Sequence, residues 1–264
     1  MNMNYYNKIK NMKNRIIKIK NNNLKLIQIN LKNDFRISNF KILNYKNIQI
    51  HKLYISDNEI ESINELPNEL IELYCSSNKI VEINNIPNTI KKIVCKENLI
   101  SELNYLPDSL EYLDCSSNKI ININDLPCGL KYLNCSNNQI VNINNLPIHL
   151  EILNCSNNYI EQIHNLPKSL KKLNCSFNDI SHIEFPENLI NITLEYKNIE
   201  KILISNLPHL IYLQFNNEDK ILMYNLPQIQ IYNDNKKCFF ELYKNKLFNY
   251  NPHLKIQYHS KINF

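Results

Sequence analysis

The stretch LPDSLEYLDCSSNKIININD, residues 106–125, decides the fold because the chain repeats it with a fixed period. A Leu-Pro or Ile-Pro pair opens each copy, and the pairs recur every 20 residues at Leu66-Pro67, Ile86-Pro87, Leu106-Pro107, Leu126-Pro127, Leu146-Pro147 and Leu166-Pro167. One such repeat cannot bury its apolar face alone, whereas a stack of repeats can. The sequence therefore predicts a stack of similar coils.

Each repeat contains the pattern of a short strand. In LEYLDCS, Leu113 and Cys115 alternate with Tyr112, Asp114 and Ser116. A period of two is typical of a strand with one buried face, and successive strands are predicted to stack in parallel at about 4.8 Å. Proline fixes φ and lacks an N–H group, so the opposite side of each coil is predicted to be extended and to pair with no ladder.

The full repeat reads LPxxLxxLxCxxNxIxxIxx. Leu113, Cys115, Asn118 and Ile120 lie on the LxLxxNxL core, so the chain resembles leucine-rich-repeat proteins. Its LPxxL portion is similar to the short subclass of bacterial secreted effectors, and its cysteine-bearing, Asn/Ile-rich form is similar to repeat proteins of giant viruses that infect amoebae. The resemblance implies an α/β-type repeat solenoid, mostly parallel β, with short strands on a concave face and an extended or irregular convex side.

The repeats define the domain organisation. The array is predicted to cover residues 47–235, between a basic N-terminal cap at 1–46 and a C-terminal cap at 236–264. Residues 1–52 hold twelve Lys or Arg against one acid, whereas the rest holds 18 basic and 24 acidic residues. Apolar spacing predicts an amphipathic helix at 5–20 and a strand at 24–31. Besides a cap, the basic segment is open to a second interpretation, an anchor on an anionic membrane surface.

One asparagine follows each strand by three residues. An amide side chain has two donors and an acceptor, so a buried one can bond turn backbone in its own coil and in the next. The predicted role of this ladder is structural. Its members are Asn78, Asn98, Asn118, Asn138, Asn158 and Asn178.

Six cysteines recur every 20 residues and are predicted to point inward. Stacked parallel side chains place Cβ atoms about 4.8 Å apart, beyond the usual disulfide separation, and zinc sites pair cysteines two to four residues apart. Packing as small apolar residues is the favoured interpretation. The column is Cys75, Cys95, Cys115, Cys135, Cys155 and Cys175. Cys128 and Cys238 fall outside it and leave a thiol-dependent activity as an alternative.

Several classes of function find no support in the sequence. A single glycine cannot build a phosphate loop, and the seven histidines share no repeat position with a carboxylate or thiol in a way that suggests a metal site or a catalytic triad. We therefore predict no catalytic, metal or cofactor site and no enzyme. Only two arginines are present, which argues against specific nucleic-acid recognition. With no apolar run of membrane-span length and no signal peptide, we expect a cytoplasmic protein.

The outward strand positions remain as the candidate functional surface. Tyr112, Tyr132 and Ile152 form an apolar stripe among amides and hydroxyls, the mixture that protein interfaces use. A merely solvated sheet is the alternative. The predicted partner-binding residues are Tyr74, Tyr112, Asp114, Ser116, Tyr132, Asn134, Ile152, Asn154, Lys172 and Asn174. We expect a protein partner on the concave face, and the resemblance implies a host protein in the host cytoplasm. The recognition arm of a ubiquitin ligase is a further alternative.

Overall fold

A computed structural model of the chain describes residues 16–21, 24–30, 39–41, 50–64, 66–195, 202–215, 221–224, 230–233 and 240–242. All regular structure in these residues is β. The chain divides into two compact units, residues 1–119 and 120–264, called unit 1 and unit 2 below. Much of both predicted caps, residues 5–15 and Cys238 lie outside the described residues.

Unit 1 stacks short parallel strands in register. Strands β2, β4, β6, β7 and β8 pair in that order, and β1 adds antiparallel to β2. A second ladder joins β3 to β5. The strands are β1 (Ile16–Asn21), β2 (Leu24–Asn30), β3 (Asn39–Lys41), β4 (Ile50–Tyr54), β5 (Ser62–Asn64), β6 (Glu72–Tyr74), β7 (Lys92–Val94) and β8 (Tyr112–Asp114).

Unit 2 continues the same construction. Strands β9, β10, β12, β14, β16 and β18 pair in parallel, and β11–β13 and β15–β17–β19 form further ladders. The strands are β9 (Tyr132–Asn134), β10 (Ile152–Asn154), β11 (Gln162–Ile163), β12 (Lys172–Asn174), β13 (His182–Ile183), β14 (Asn191–Leu194), β15 (Ile202–Ser205), β16 (Tyr212–Phe215), β17 (Ile221–Tyr224), β18 (Gln230–Asn233) and β19 (Phe240–Leu242).

The apolar residues of each repeat fill the interior of its coil. In one coil Leu73 and Cys75, at the strand, and Ile80, after the turn, are each 0% exposed. The same positions are buried in the other repeats of both units, so the predicted inward face is confirmed. Apolar burial on this scale is the main favourable contribution to the stability of such a stack.

The asparagine ladder joins neighbouring coils. Asn98 Nδ2 donates to the carbonyls of Cys95 and Lys96 in its own coil and to that of Cys75 in the preceding one. Its Oδ1 accepts from Ile80 N–H at 3.0 Å. The structural role is confirmed, but the expected partner in the next coil is wrong. The amide reaches back because the carbonyl of Cys75 and the N–H of Ile80, both in the preceding coil, have no backbone hydrogen-bond partner among the described residues.

Two other expectations about local structure are wrong. Residues 16–20 belong to β1 rather than to a helix, because IIKIK is rich in β-branched isoleucine and pairs with β2. The strand predicted at 24–31 is confirmed over residues 24–30. The side opposite the main strands is also not free of ladders. Asn122 bridges Asn142, which bridges Gln162, because the prolines lie after these extended residues and leave their N–H groups able to pair.

Candidate functional site

The outward strand positions form one surface on each unit. Each short strand buries its central residue and leaves the two flanking ones at least partly accessible. The first surface, on unit 1, comprises Lys52, Tyr54, Glu72, Tyr74, Lys92, Val94, Tyr112 and Asp114. The second surface, on unit 2, comprises Tyr132, Asn134, Ile152, Asn154, Lys172, Asn174, Asn191, Thr193, Tyr212 and Gln214.

Glu72 organises the polar groups of the first surface. Its Oε1 lies 2.7 Å from Lys52 Nζ on the neighbouring strand, and its Oε2 accepts a hydrogen bond of 2.8 Å from the hydroxyl of Tyr74. The 20-residue spacing places Lys52, Glu72 and Lys92 in one column, with Lys on either side of the acid. Glu72 therefore neutralises Lys52 and fixes the hydroxyl of Tyr74.

Aromatic rings cover the rest of the first surface. The rings of Tyr54 and Tyr74 stack with centroids 4.4 Å apart and planes 3° from parallel. Lys92 Nζ lies 4.1 Å from the ring centroid of Tyr112 and 5.4 Å from that of Tyr74. A cation over an aromatic face is attracted by the ring quadrupole. The ammonium of Lys92 is thus held between two rings, close to the stacked pair.

The titration of these groups follows from their contacts. Burial alone would raise the pKa of Glu72, but the hydrogen bonds from Lys52 and Tyr74 and the nearby lysine charges hold that pKa below its ordinary 4.5. The hydrogen bond with Glu72 raises the pKa of Lys52 above 10.5, although burial opposes it. Burial and the bond to Glu72 raise the pKa of Tyr74. At neutral pH the pair is ionised and the phenol is protonated.

Asp114 ends the first surface and meets Ser116 of the same coil. Its Oδ1 accepts from Ser116 N–H at 3.1 Å and from the Ser116 hydroxyl at 2.7 Å. Ser116 is 7% exposed, so the expectation that it faces a partner directly is wrong. The hydroxyl turns toward the strand because Asp114 offers an acceptor. The whole serine column is buried, although the hydroxyl of Ser76 donates to the carbonyl of Val94 instead of to a side chain two residues earlier. Its members are Ser76, Ser116, Ser136, Ser156 and Ser176.

On the second surface asparagine replaces the aspartate. Asn134 Oδ1 and Asn154 Oδ1 each accept from the backbone N–H and the hydroxyl of the serine two residues later. Asn174 Oδ1 accepts from Ser176 N–H at 3.1 Å. The three amides lie in register on adjacent strands. The column continues with Thr193, whose side chain is buried.

Lys172 is the cation of the second surface. It is exposed, and its ladder neighbours are Ile152 on one side and Asn191 on the other. Among the described residues it has no carboxylate partner within ion-pair distance. Glu195, which follows β14, accepts a hydrogen bond from Gln214 Nε2 at 3.0 Å. The polar character of the two surfaces is therefore different.

Nine of the ten predicted partner-binding residues lie at outward strand positions, and the tenth, Ser116, is buried behind Asp114. The predicted set omits Lys52, Glu72 and Lys92, which carry the ionic contacts of the first surface. Their signal was available, because residues 20 apart in this repeat become ladder neighbours. The alternation of charge along this column is therefore visible in the sequence.

The cysteine column is inert in its surroundings. All six members are buried and none of them forms a disulfide, so the packing interpretation is confirmed. Burial raises the pKa of the Cys75 thiol to about 12, and burial with neighbouring thiols raises the pKa of Cys155 well above 9.0. Thiols in this state are poor nucleophiles and metal ligands at neutral pH. Cys128 is exposed.

Metal-binding groups and membrane-spanning helices are both absent from the described residues. In the parts of the chain that the structure describes, no three His, Cys, Asp or Glu side chains come together in a group that could hold a metal ion. The described residues also include no helix with the length and apolarity needed to cross a membrane.

No protein-family model matches the chain, and no curated protein matches it. Solved structures do. YopM from Yersinia enterocolitica matches with a TM-score of 0.66 and 26% identity over 80% of this chain and 46% of that one. The leucine-rich-repeat domain of a Shigella effector matches with a TM-score of 0.50 and 25% identity over 58% of this chain and 70% of that one.

A third match is YopM from Yersinia pestis, a leucine-rich effector protein. Its TM-score is 0.56 and its identity 21%, over 79% of this chain and 56% of that one. The chain thus spans about half the length of the two Yersinia proteins that it matches. The matches confirm the leucine-rich-repeat fold and the resemblance to bacterial effectors, and they support a protein-interaction scaffold in general terms.

Proposed function

We propose that this leucine-rich-repeat solenoid is a non-enzymatic scaffold that binds a protein partner through its outward strand positions. The observation that carries the proposal is the contrast between the two faces of each strand. The inward face repeats Leu or Ile and then Cys in coil after coil, as stacking requires. The outward face changes from Glu72 to Lys92 to Tyr112 within unit 1, although the strands are the same length.

The composition of the surfaces supports this assignment. Binding energy at protein interfaces concentrates in partly buried aromatic side chains surrounded by polar groups that exclude water. Tyr74 and Tyr112 on the first surface and Tyr132 on the second are of this kind. The hydroxyl of Tyr74 is fixed by Glu72, so this ring needs little further ordering when a partner binds.

The proposal extends to the source of the partner. The Shigella domain to which the chain is similar belongs to an effector. We take a host-cell protein as the partner, met in the host cytoplasm. This extension rests on similarity alone, whereas the binding surfaces rest on the residues described above.

The test is capture of partners by surface variants. The purified full chain is immobilised, exposed to lysate of candidate host cells, and the captured proteins are identified by mass spectrometry. In the double variant Tyr112→Ser with Tyr132→Ser, we expect the captured amount of an identified partner to fall by about tenfold or more. The matched control is Tyr159→Ser, which changes a tyrosine that is 59% exposed outside the strands. It should retain capture.

Thermal unfolding checks that each variant keeps the fold. The proposal fails if a purified partner binds the double variant as tightly as it binds the unchanged chain. It also fails if the Tyr159→Ser control loses the partner to the same extent, because the loss would then be independent of the strand surfaces.

A further inference from the structure

Three neighbouring side chains on the second surface present donors and no acceptors. They are Asn154, Lys172 and Asn174, called the donor patch below. Asn154 and Asn174 are ladder partners on β10 and β12, and Lys172 lies two residues before Asn174 on β12. Side chains two residues apart on a strand share a face. The three therefore lie on one face of two adjacent strands, whose spacing is about 4.8 Å.

The orientation of the two amides is fixed by their contacts. The N–H groups of Ser156 and Ser176 can only donate, so the amide atom that faces each of them must be the oxygen. Both Oδ1 atoms are consumed inside the coil. The Nδ2 groups, which have no hydrogen-bond partner among the described residues, are left to the outward side. Each carries two N–H donors.

The charge of the donor patch is also uncompensated. Lys172 is exposed and, of the described residues, none supplies a carboxylate to its ammonium. Ile152 and Asn191 flank it in the ladder, and neither carries charge. The carboxylate of Glu195 is engaged by Gln214. The donor patch therefore presents one positive charge and two oriented amides, and none of its ladder neighbours carries a carboxylate.

We propose that the donor patch binds a carboxylate-bearing, extended segment of the protein partner. A carboxylate has only acceptor sites, so it complements a surface of donors, and hydrogen bonds to a charged acceptor are stronger than neutral ones. An extended segment places alternate side chains on one side, so that side can present carboxylates to the donor patch. This inference rests on the proposed function and names the chemistry of the partner at the second surface.

The test uses three short fluorescein-labelled peptides that alternate threonine with Glu, Gln or Lys, and it measures binding to the full chain by fluorescence anisotropy at low salt. We expect the Glu peptide to bind about tenfold more tightly than the Gln peptide, with the Lys peptide weakest. Added salt should weaken the preference, because exposed charges are screened.

Two variants locate the binding. Lys172→Met should weaken binding of the Glu peptide by about tenfold. The double variant Asn154→Asp with Asn174→Asp should abolish the preference, because each outward donor becomes an acceptor. The fold has a precedent for this exchange, since Asp114 makes the same bonds to Ser116 N–H and hydroxyl. The matched control is Lys168→Met, which removes the same charge from the turn after Pro167 and should change affinity by less than about twofold.

The outcomes separate this inference from the proposed function. A preference for the Glu peptide that Lys172→Met removes and Lys168→Met keeps supports the donor patch. The donor patch is overturned if the Glu and Gln peptides bind equally or if the Lys peptide is preferred. It is also overturned if Lys172→Met and Lys168→Met lose the same affinity for the Glu peptide. No binding of any peptide overturns it as well. In each of these cases the proposed function stands or falls on the tyrosine variants.

Discussion

The first and second surfaces differ in whether their lysines have charged or aromatic partners, although the coils that carry them are alike. On the first, Glu72 bonds Lys52, and Lys92 lies between two tyrosine rings. On the second, Lys172 stands without a carboxylate partner within the described residues. The same buried Leu and Cys positions and the same asparagine ladder support both. Stacking fixes the interior of a repeat, and the outward positions are free to carry different chemistry.

One repeat position shows this separation clearly. Asp114 in unit 1 and Asn154 in unit 2 hold a serine two residues later through the same two hydrogen bonds. The bonds inside the coil use one side-chain oxygen in each case. The second side-chain atom is an acceptor on Asp114 and a donor on Asn154. A single exchange thus reverses the outward chemistry and leaves the local fold unchanged.

The largest expected effect comes from breaking the scaffold that the two units share. Asn98→Ala in unit 1 removes three donated bonds and the bond accepted from Ile80 N–H. Asn158→Ala in unit 2 removes the same set, with Ile140 N–H as the donor. Each leaves buried backbone groups unpaired, so each should lower the free energy of unfolding by about 3 kcal/mol in urea denaturation.

Asn154→Ala is the control for this pair, because it removes an asparagine from the surface and two bonds within one coil. It should cost only about 1 kcal/mol. Unequal losses for Asn98→Ala and Asn158→Ala would show that the interiors of the two units differ in energy despite their matching bonds. If Asn98→Ala or Asn158→Ala lost less stability than the Asn154→Ala control, the structural role of the asparagine ladder would be contradicted.

The second prediction converts the first surface toward the character of the second. Glu72→Gln removes the charge that neutralises Lys52, so the first surface gains an uncompensated ammonium beside Lys92. We expect affinity for the Glu–Thr peptide to rise by about threefold or more. Stability should fall by about 1 kcal/mol, since Lys52 is 39% exposed and solvent screens the pair. Lys52→Met in the same background should reverse the gain in binding.

The loss of stability in Glu72→Gln should depend on pH. The folded-state pKa of Glu72 lies below its ordinary 4.5, so its contribution is present above that value and is lost as the pH falls through the lower folded-state pKa. Unfolding curves of the unchanged chain and the variant should therefore differ by a constant amount near neutral pH and converge in acid. A difference that persists at low pH would assign the effect to packing rather than charge.

The sequence predicted the repeat architecture well, for a physical reason. A 20-residue period with alternating Leu113 and Cys115 leaves only one way to bury the apolar residues, and the strand positions, inward cysteines and structural asparagines follow from it. The wrong predictions concern the direction of hydrogen bonds between coils, which the period of the sequence does not indicate. Whether Asn98 bonds forward or backward depends on which backbone groups are already paired, and this is decided only once the coils stack.

The candidate site was predicted less completely than the fold. Nine of the ten predicted residues lie at outward strand positions, but Ser116 lies two residues after the end of β8, where the alternation of the strand no longer predicts which side chains are exposed. The contact of Lys52 with Glu72 could be read from their separation of 20 residues once strand register is known. The spacing of the isoleucines in residues 16–21 fits both a helix and a strand, and pairing with β2 decides for the strand.

The smallest expected effect compares one backbone position across the units. Tyr105 has φ of 57°, in the left-handed region, where Asn165 of unit 2 has φ of 54°. Asparagine tolerates this conformation far better than an aromatic residue does. Tyr105 is 89% exposed, so Tyr105→Asn loses little packing and should raise the free energy of unfolding by about 0.5 to 1 kcal/mol. The reverse exchange, Asn165→Tyr, should lower it by a similar amount in the same urea titration. If both variants were as stable as the unchanged chain, the surrounding turn, rather than the side chain, would set this conformation in each unit.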